Sequence, residues 1–209
     1  MIRGIIFDLD GTLLDSLEER ISAWQQAFTR FGIELDRNAI RPLIGLPGKD
    51  LAGRYHEKKE EIDAMEEAYF NRMLPEIPLF PDVEKTIEML KNIGISIVIV
   101  TSSSRGTVNL LKLPVKEIIT IDDVKRGKPG TEPYEKALAM MRLTPEMVMV
   151  VGDSENDLIP ARKMGCISVL VRHFSDSTSQ YADYFIDEVS EVIPLLSHLN
   201  RKPTTSEAD

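Results

Sequence analysis

Cysteine is almost absent: Cys166 stands alone among 209 residues. An internal disulfide and a zinc site built from cysteines are therefore excluded, and a reducing compartment is expected. Long apolar runs are missing too. The longest, Ile93 to Val100, is broken by Gly94 and Ser96 and falls far short of the roughly 20 residues that a spanning helix needs. The apolar start from Ile2 to Phe7 runs straight into Asp8 and Asp10, which is too short for a secretion signal. A soluble, cytoplasmic protein with no membrane partner is the expectation. Positive charge is in deficit, with 25 Lys and Arg against 34 Asp and Glu for a net charge of −9. That sign excludes a surface that embraces nucleic acid along its whole length. No Gly-x-Gly-x-x-Gly occurs, and neither Gly45-Leu-Pro-Gly-Lys-Asp nor Gly127-Lys-Pro-Gly has the spacing and terminal hydroxyl of a P-loop. Dinucleotide redox chemistry and the common nucleotide loop are thereby set aside.

What is present is an ordinary globular mixture, 43% hydrophobic and 28% charged, enough for one domain carrying a smaller insertion. Short runs rich in Ile and Val recur at Gly4 to Asp8, Ile95 to Thr101, Glu117 to Ile121, Met147 to Gly152 and Ile167 to Val171. Their length and lack of strict alternation predict parallel strands buried on both faces. Helical spacing lies between most of them, as in Val83, Ile87 and Leu90, in Tyr134, Leu138 and Met141, and in Val189, Ile193 and Leu196. The class is α/β, a doubly wound parallel sheet, with Asp183 to Ile186 a short additional edge strand. If the strand order is 3-2-1-4-5, the order reverses between strands one and four, where ligands of open α/β sheets bind.

One interval is abnormal. About 85 residues separate the first two strands, where a whole βαβ unit needs about 30. Within it, Leu17, Ile21, Trp24, Phe28 and Phe31 step by four, three, four and three, and Ile62, Met65, Tyr69 and Met73 form a second stripe. Asp36 is placed to cap a short helix, and His56 to Glu61 reads as a solvated helix start. Residues 15–80 are accordingly expected to form a helical cap, residues 1–14 and 81–199 the core, and the polar stretch 200–209 a disordered tail.

Chemistry gathers at the strand ends. The first ends in Asp8-Leu9-Asp10-Gly11-Thr12, with Gly11 able to supply an unusual turn. The second is followed by Thr101-Ser102-Ser103-Ser104, the third by Arg126-Gly127-Lys128-Pro129, and the fourth by Gly152-Asp153-Ser154-Glu155-Asn156-Asp157. In an open sheet these segments can converge. Clustered carboxylates repel, and a divalent cation with oxygen ligands, Mg²⁺, is the simplest relief. Taken singly, Thr101 and Asp157 also read as helix caps and Lys128 as a solvated lysine; taken together they do not.

These four segments, in this order, resemble the motifs of the haloacid dehalogenase superfamily of phosphotransferases, and nearly the whole chain is similar to its phosphatases with a helical cap. The Gly152-Asp153-Ser154-x-Asn156-Asp157 form looks most like the phosphoglycolate phosphatase branch. The resemblance implies a nucleophile at Asp8, a general acid and base at Asp10, and phosphoryl contacts from Thr101 and Lys128. It implies Mg²⁺ held by Asp8, the backbone carbonyl of Asp10 and Asp153, with Asp157 behind them. Ser102, Arg41, Gly45, Lys49 and Arg54 are the candidates for substrate contact, a cap arginine being suited to a carboxylate such as that of phosphoglycolate. The expected partner is a small phosphorylated acid or sugar, and the expected assembly a monomer or homodimer.

Asp10 sets the rivals apart. Dehalogenases lack an acid there and ion-pumping ATPases carry threonine, so a leaving group needing a proton is implied. A phosphomutase of the β-phosphoglucomutase kind keeps both aspartates and remains the alternative enzyme. A phosphonate-cleaving enzyme would need a Schiff-base lysine in the cap, where Lys49 lies. From another class come a receiver-like signalling module, whose acid pair sits on a different strand from its phosphorylated aspartate, and a catalytically silent protein that binds a phosphorylated ligand. Phosphate release with magnesium separates these from a hydrolase. His56, His173, His198, Cys166 and the methionines belong to no motif.

Overall fold

The strands are β1 (Gly4–Phe7), β2 (Ser96–Val100), β3 (Ile118–Ile119), β4 (Val148–Gly152), β5 (Ile167–Val171) and β6 (Tyr184–Ile186). The helices are α1 (Leu17–Arg30), α2 (Arg37–Ile40), α3 (Gly48–Ala52), α4 (Lys59–Met73), α5 (Val83–Asn92), α6 (Arg105–Val108), α7 (Glu132–Met141), α8 (Glu155–Met164) and α9 (Val192–Asn200). This computed structural model describes residues 1–173 and 175–201. The six strands form one parallel sheet in the order β3-β2-β1-β4-β5-β6, so the expected order holds and β6 extends it.

Side chains alternate across a strand, and here both faces are apolar. Ile5, Phe7, Ile97, Ile99, Met149 and Val151 join one core, covered by Val83, Ile87 and Leu90 of α5, Val108 of α6 and Val192 and Leu196 of α9. Ile6, Val98, Val100, Val148 and Val150 join the other, covered by Tyr134, Ala137 and Leu138 of α7 and Ala161 of α8. Strand β3 is shorter than the expected Glu117 to Ile121. Thr120 and Asp123 form a capping box that starts a 3-10 turn at Ile121, which takes the backbone out of the sheet.

Helices α1 to α4 form a layer over the carboxyl ends of the strands. Ile21, Trp24, Ala27 and Phe28 of α1 bury against Ile40, Leu43, Leu51 and Ile62 in a core of their own, with Phe28 edge-on to Tyr55 at 5.3 Å between ring centres. Asp36 caps α2 by accepting from Asn38 N–H at 2.7 Å. The buried face of α4 is not the expected stripe. Ile62, Glu66 and Phe70 are fully buried, and Met65, Tyr69 and Met73 flank them. The two chain segments joining this layer to the sheet run side by side: Leu14 bridges Leu79, Asp15 N–H donates to Pro78 C=O, and Phe80 N–H donates to Leu13 C=O, both at 3.0 Å.

Asn200, assigned by composition to the tail, closes α9, and its amide bonds both the N–H and the C=O of Ile2. The tail beyond residue 201 lies outside the described residues. Among the described residues no helix is long and apolar enough to cross a membrane.

Candidate active site

Asp8 is the first residue after β1. Its N–H still donates to Val151 C=O at 2.9 Å, so its side chain emerges at the carboxyl end of the sheet next to β4. The chain then turns at Gly11, whose φ is +78°. A Cβ at Gly11 would sit 2.5 Å from Asp153 Oδ2, so only glycine allows both this turn and the close approach of the two acidic loops. Lys128 arrives from the loop after β3. It is buried, and its Nζ pairs with Asp8 Oδ1 and, at 2.6 Å, with Asp157 Oδ1. Tyr134 O–H from α7 donates to the same Asp157 oxygen at 2.8 Å.

Asp8, Asp153 and Asp157 bring carboxylate oxygens within 4.8 Å of one another. Burial and Asp157 push Asp8 up to about 7 against the pull of Lys128. Burial, with Asp8 and Asp157 close by, pushes Asp153 well above the carboxylate range. Burial alone would lower Lys128, but Asp157 and Asp8 hold it above its ordinary value. One ammonium thus faces three crowded carboxylates. A hard divalent cation with oxygen ligands fits this donor set. Asp157, with Oδ1 already taken by Lys128 and Tyr134, suits an orienting position behind Asp8 and Asp153.

Asp10 has different company. Its carboxylate accepts from Ser16 Oγ and Ser103 Oγ, each at 2.8 Å, and from Arg20 Nε and Nη2, each at 3.2 Å. Arg20 also donates to Glu66 at 3.2 Å and to Ser103, and it stacks 3.5 Å over the Phe70 ring. Burial would raise Asp10, but Arg20 and the two serine hydroxyls outweigh it and hold the group below the usual carboxylate range. Glu66 is pushed up to about 7 by burial, against Arg20. In this arrangement Asp10 is a paired acid, and its carboxylate lies outside the three-carboxylate cluster.

A cavity of about 910 Å³ opens over Asp8 and Lys128, between the strand ends and the helical layer. Thr101, Ser102, Gly45 and Lys49 line it. Thr101 Oγ1 accepts from Ser103 N–H at 3.0 Å, and the helix that follows is capped by Ser104 instead. Ser102 O–H donates to Gly45 C=O at 2.7 Å, and Asn156 Nδ2 donates to Ile44 C=O at 3.1 Å, so two strand-end loops hold the Gly45 turn. The structure does not bring Arg41 or Arg54 to the cavity lining. Arg41 pairs with Glu18 on the outer surface, and Arg54 is exposed. Arg41 thus stands outside the cavity lining in this structure.

Residues 5–171 match the family of haloacid dehalogenase-like hydrolases. The chain belongs to that family. The pyrophosphatase PpaX of Bacillus thuringiensis (strain Al Hakam) is 30% identical to this chain, over 96% of it and 99% of the relative. Two solved structures share its fold. A hydrolase from Pseudomonas syringae has a TM-score of 0.85 at 22% identity, covering 94% of this chain and 99% of that one. CbbY from Rhodobacter sphaeroides, in complex with phosphate, has a TM-score of 0.79 at 26% identity, covering 92% and 96%.

Several residues of the hydrolase site were not foreseen. Arg20 and Glu66 lie on buried helix faces, where a charge interrupting an apolar stripe was the available signal. Ser103 belongs to the Ser102 to Arg105 stretch expected to offer hydrogen bonds to the phosphoryl group, but it bonds Asp10 and Arg20 instead, and Tyr134 reads as core in the sequence. Glu60, within the stretch read as a solvated helix start, lines the mouth of the cavity.

Proposed function

We propose that this hydrolase cleaves phosphate monoesters of small metabolites through an acyl phosphate on Asp8. The observation that supports this most is the buried Lys128 ammonium against Asp8, at the floor of a cavity and beside Asp153 and Asp157. Asp8 attacks phosphorus in line, forming the Oδ–P bond as the ester P–O bond breaks. Asp10 takes up a proton from solvent, gives it to the departing alkoxide and then takes one from the water that opens the acyl phosphate. To carry that proton Asp10 gives up its contact with Arg20. Thr101 and Lys128 hold the phosphoryl oxygens and stabilise their charge. Asp8, Asp153 and the backbone carbonyl of Asp10, with Asp157 behind, would hold Mg²⁺, whose charge would offset the repulsion between the attacking carboxylate and the phosphate dianion. Cytoplasmic location, and a small phosphorylated metabolite as the partner of a monomer or homodimer, belong to the same reading.

The test is phosphate release from a panel of small monoesters and from pyrophosphate, which the PpaX relative's name makes a necessary member. Magnesium is expected to be required and chelator to abolish release. Asp8→Asn is expected to lose at least about a thousandfold. Undiminished turnover in Asp8→Asn would discard the covalent route.

A further inference from the structure

One helix lines the same cavity as Asp8. Glu60, Asp63, Ala64 and Glu67 of α4, spaced by three, one and three, form a single stripe, and all of them line the cavity beside Glu66. The stripe carries no cation. A Cβ on Gly48 would meet Asp63 Oδ1 at 1.7 Å, so this carboxylate lies directly on the chain that starts α3. Glu67 Oε1 accepts from Ser104 O–H and, at 3.0 Å, from Thr107 O–H, which fixes its position from the sheet side.

Three of the arginines on this side of the molecule pair with other acids. Arg37 and Arg41 both pair with Glu18. Arg20 lines the cavity but lies between Asp10 and Glu66, with no charge left over for an anion. Lys49, Lys125 and Arg126 line the cavity as well, and Lys49 pulls against burial at Asp63, but these three cations and Glu60 are exposed, where water screens them, whereas Asp63 and Glu67 are half-buried. A second negative group on the substrate, placed beyond the phosphoryl group, therefore meets like charge. A hydroxyl there meets acceptors.

We propose that the substrate's leaving group is an uncharged, hydroxyl-bearing alcohol, the end of a polyol or sugar, and that Asp63 and Glu67 accept its hydrogen bonds and turn away phosphorylated acids. This rests on the monoester hydrolase reading and narrows it. Selection of this kind is a difference between two affinities, with the acceptors favouring one ligand and the like charge disfavouring the other.

The experiment compares pairs that differ only by CH₂OH against COO⁻: 2-hydroxyethyl phosphate with phosphoglycolate, and glycerol 3-phosphate with 3-phosphoglycerate. It is run at pH 8 with magnesium, with phenyl phosphate as the reference ester. The alcohol of each pair is expected to have the higher kcat/KM by about 100-fold. Glu67→Gln and Asp63→Asn, which keep the shape and remove the charge, are each expected to move the ratio toward the acid by about tenfold, mainly through KM. Release from phenyl phosphate, with the acids accepted as well as the alcohols, or with neither variant moving the ratio, overturns the proposal and leaves the hydrolase reading standing. No release from any of the five esters overturns both.

Discussion

Lys128 stands among carboxylates whose mutual repulsion it relieves, so its removal strands charge in a buried place. Lys128→Ala is expected to lose about 3–5 kcal/mol of stability in metal-free buffer, read by urea unfolding, and part of that loss is expected to return when magnesium is added. A variant as stable as the parent without metal would show that the carboxylates are not held ionised against one another. His173 makes a different kind of contribution. Its ring stacks on Phe80 at 3.5 Å, its Nε2 lies 3.2 Å from Thr12 C=O, and its φ of 46° is in the left-handed region. Burial lowers its pKa below the usual 6.5. Between those two values the unfolded chain binds the proton and the folded one does not, so this contribution is present above pH 6.5 and is lost as pH falls through the folded value. The melting temperature is expected to fall between pH 7 and pH 5, and to fall less in His173→Asn, whose side chain tolerates the same backbone region. Equal falls would remove His173 from the account.

At the scale of elements, the contact between α1 and α4 mixes an apolar seam with the buried Arg20–Glu66 pair. Breaking a buried pair costs more than replacing it whole. Arg20→Met is expected to lose about 3–5 kcal/mol, and adding Glu66→Met to restore part of it, both measured by chemical denaturation. If the double variant were less stable than the single, the pair would not be what the helices pay to bury. This pair also explains what could and could not be read beforehand. The α1 stripe was legible because Ile21, Trp24 and Phe28 recur at helical spacing. The α4 stripe was displaced by one position, because Glu66, the middle of the buried face, reads as solvent-facing in any hydrophobic pattern. Strand β3 was overlong for a similar reason: the capping box between Thr120 and Asp123 is side-chain chemistry that apolar periodicity does not register. Asp8, Lys128, Asp153 and Asp157 were legible together because each follows a strand that could be recognised on its own, whereas the Asp10–Arg20 contact joins residues whose meeting depends on how the helical layer is tilted over the sheet.

For the whole molecule, the parallel character of the sheet followed from runs buried on both faces and from the lengths between them, which leave room for helical crossovers, whereas the strand order was a supposition that these patterns do not supply. The net charge of −9 and the acidic cluster work in one direction: each favours a cation bound to the folded chain. Magnesium at a hundred times its dissociation constant is expected to add about 2.7 kcal/mol, a rise of roughly 5–10 °C in Tm for a protein of this size. Asp153→Asn is expected to lose most of that rise in a thermal scan, and a full rise in this variant would place the cation elsewhere.

The neck, where Leu14 bridges Leu79 and the neighbouring backbones exchange hydrogen bonds, has its own implication for engineering and descent. Outgoing and returning chains stand shoulder to shoulder, so everything between them can be exchanged as a cassette. A segment whose own ends meet at the spacing of paired strands could be spliced in there without shifting the register of the sheet, and selectivity could be transplanted as long as the newcomer again supplies the partners that Ser16 and Arg20 give Asp10.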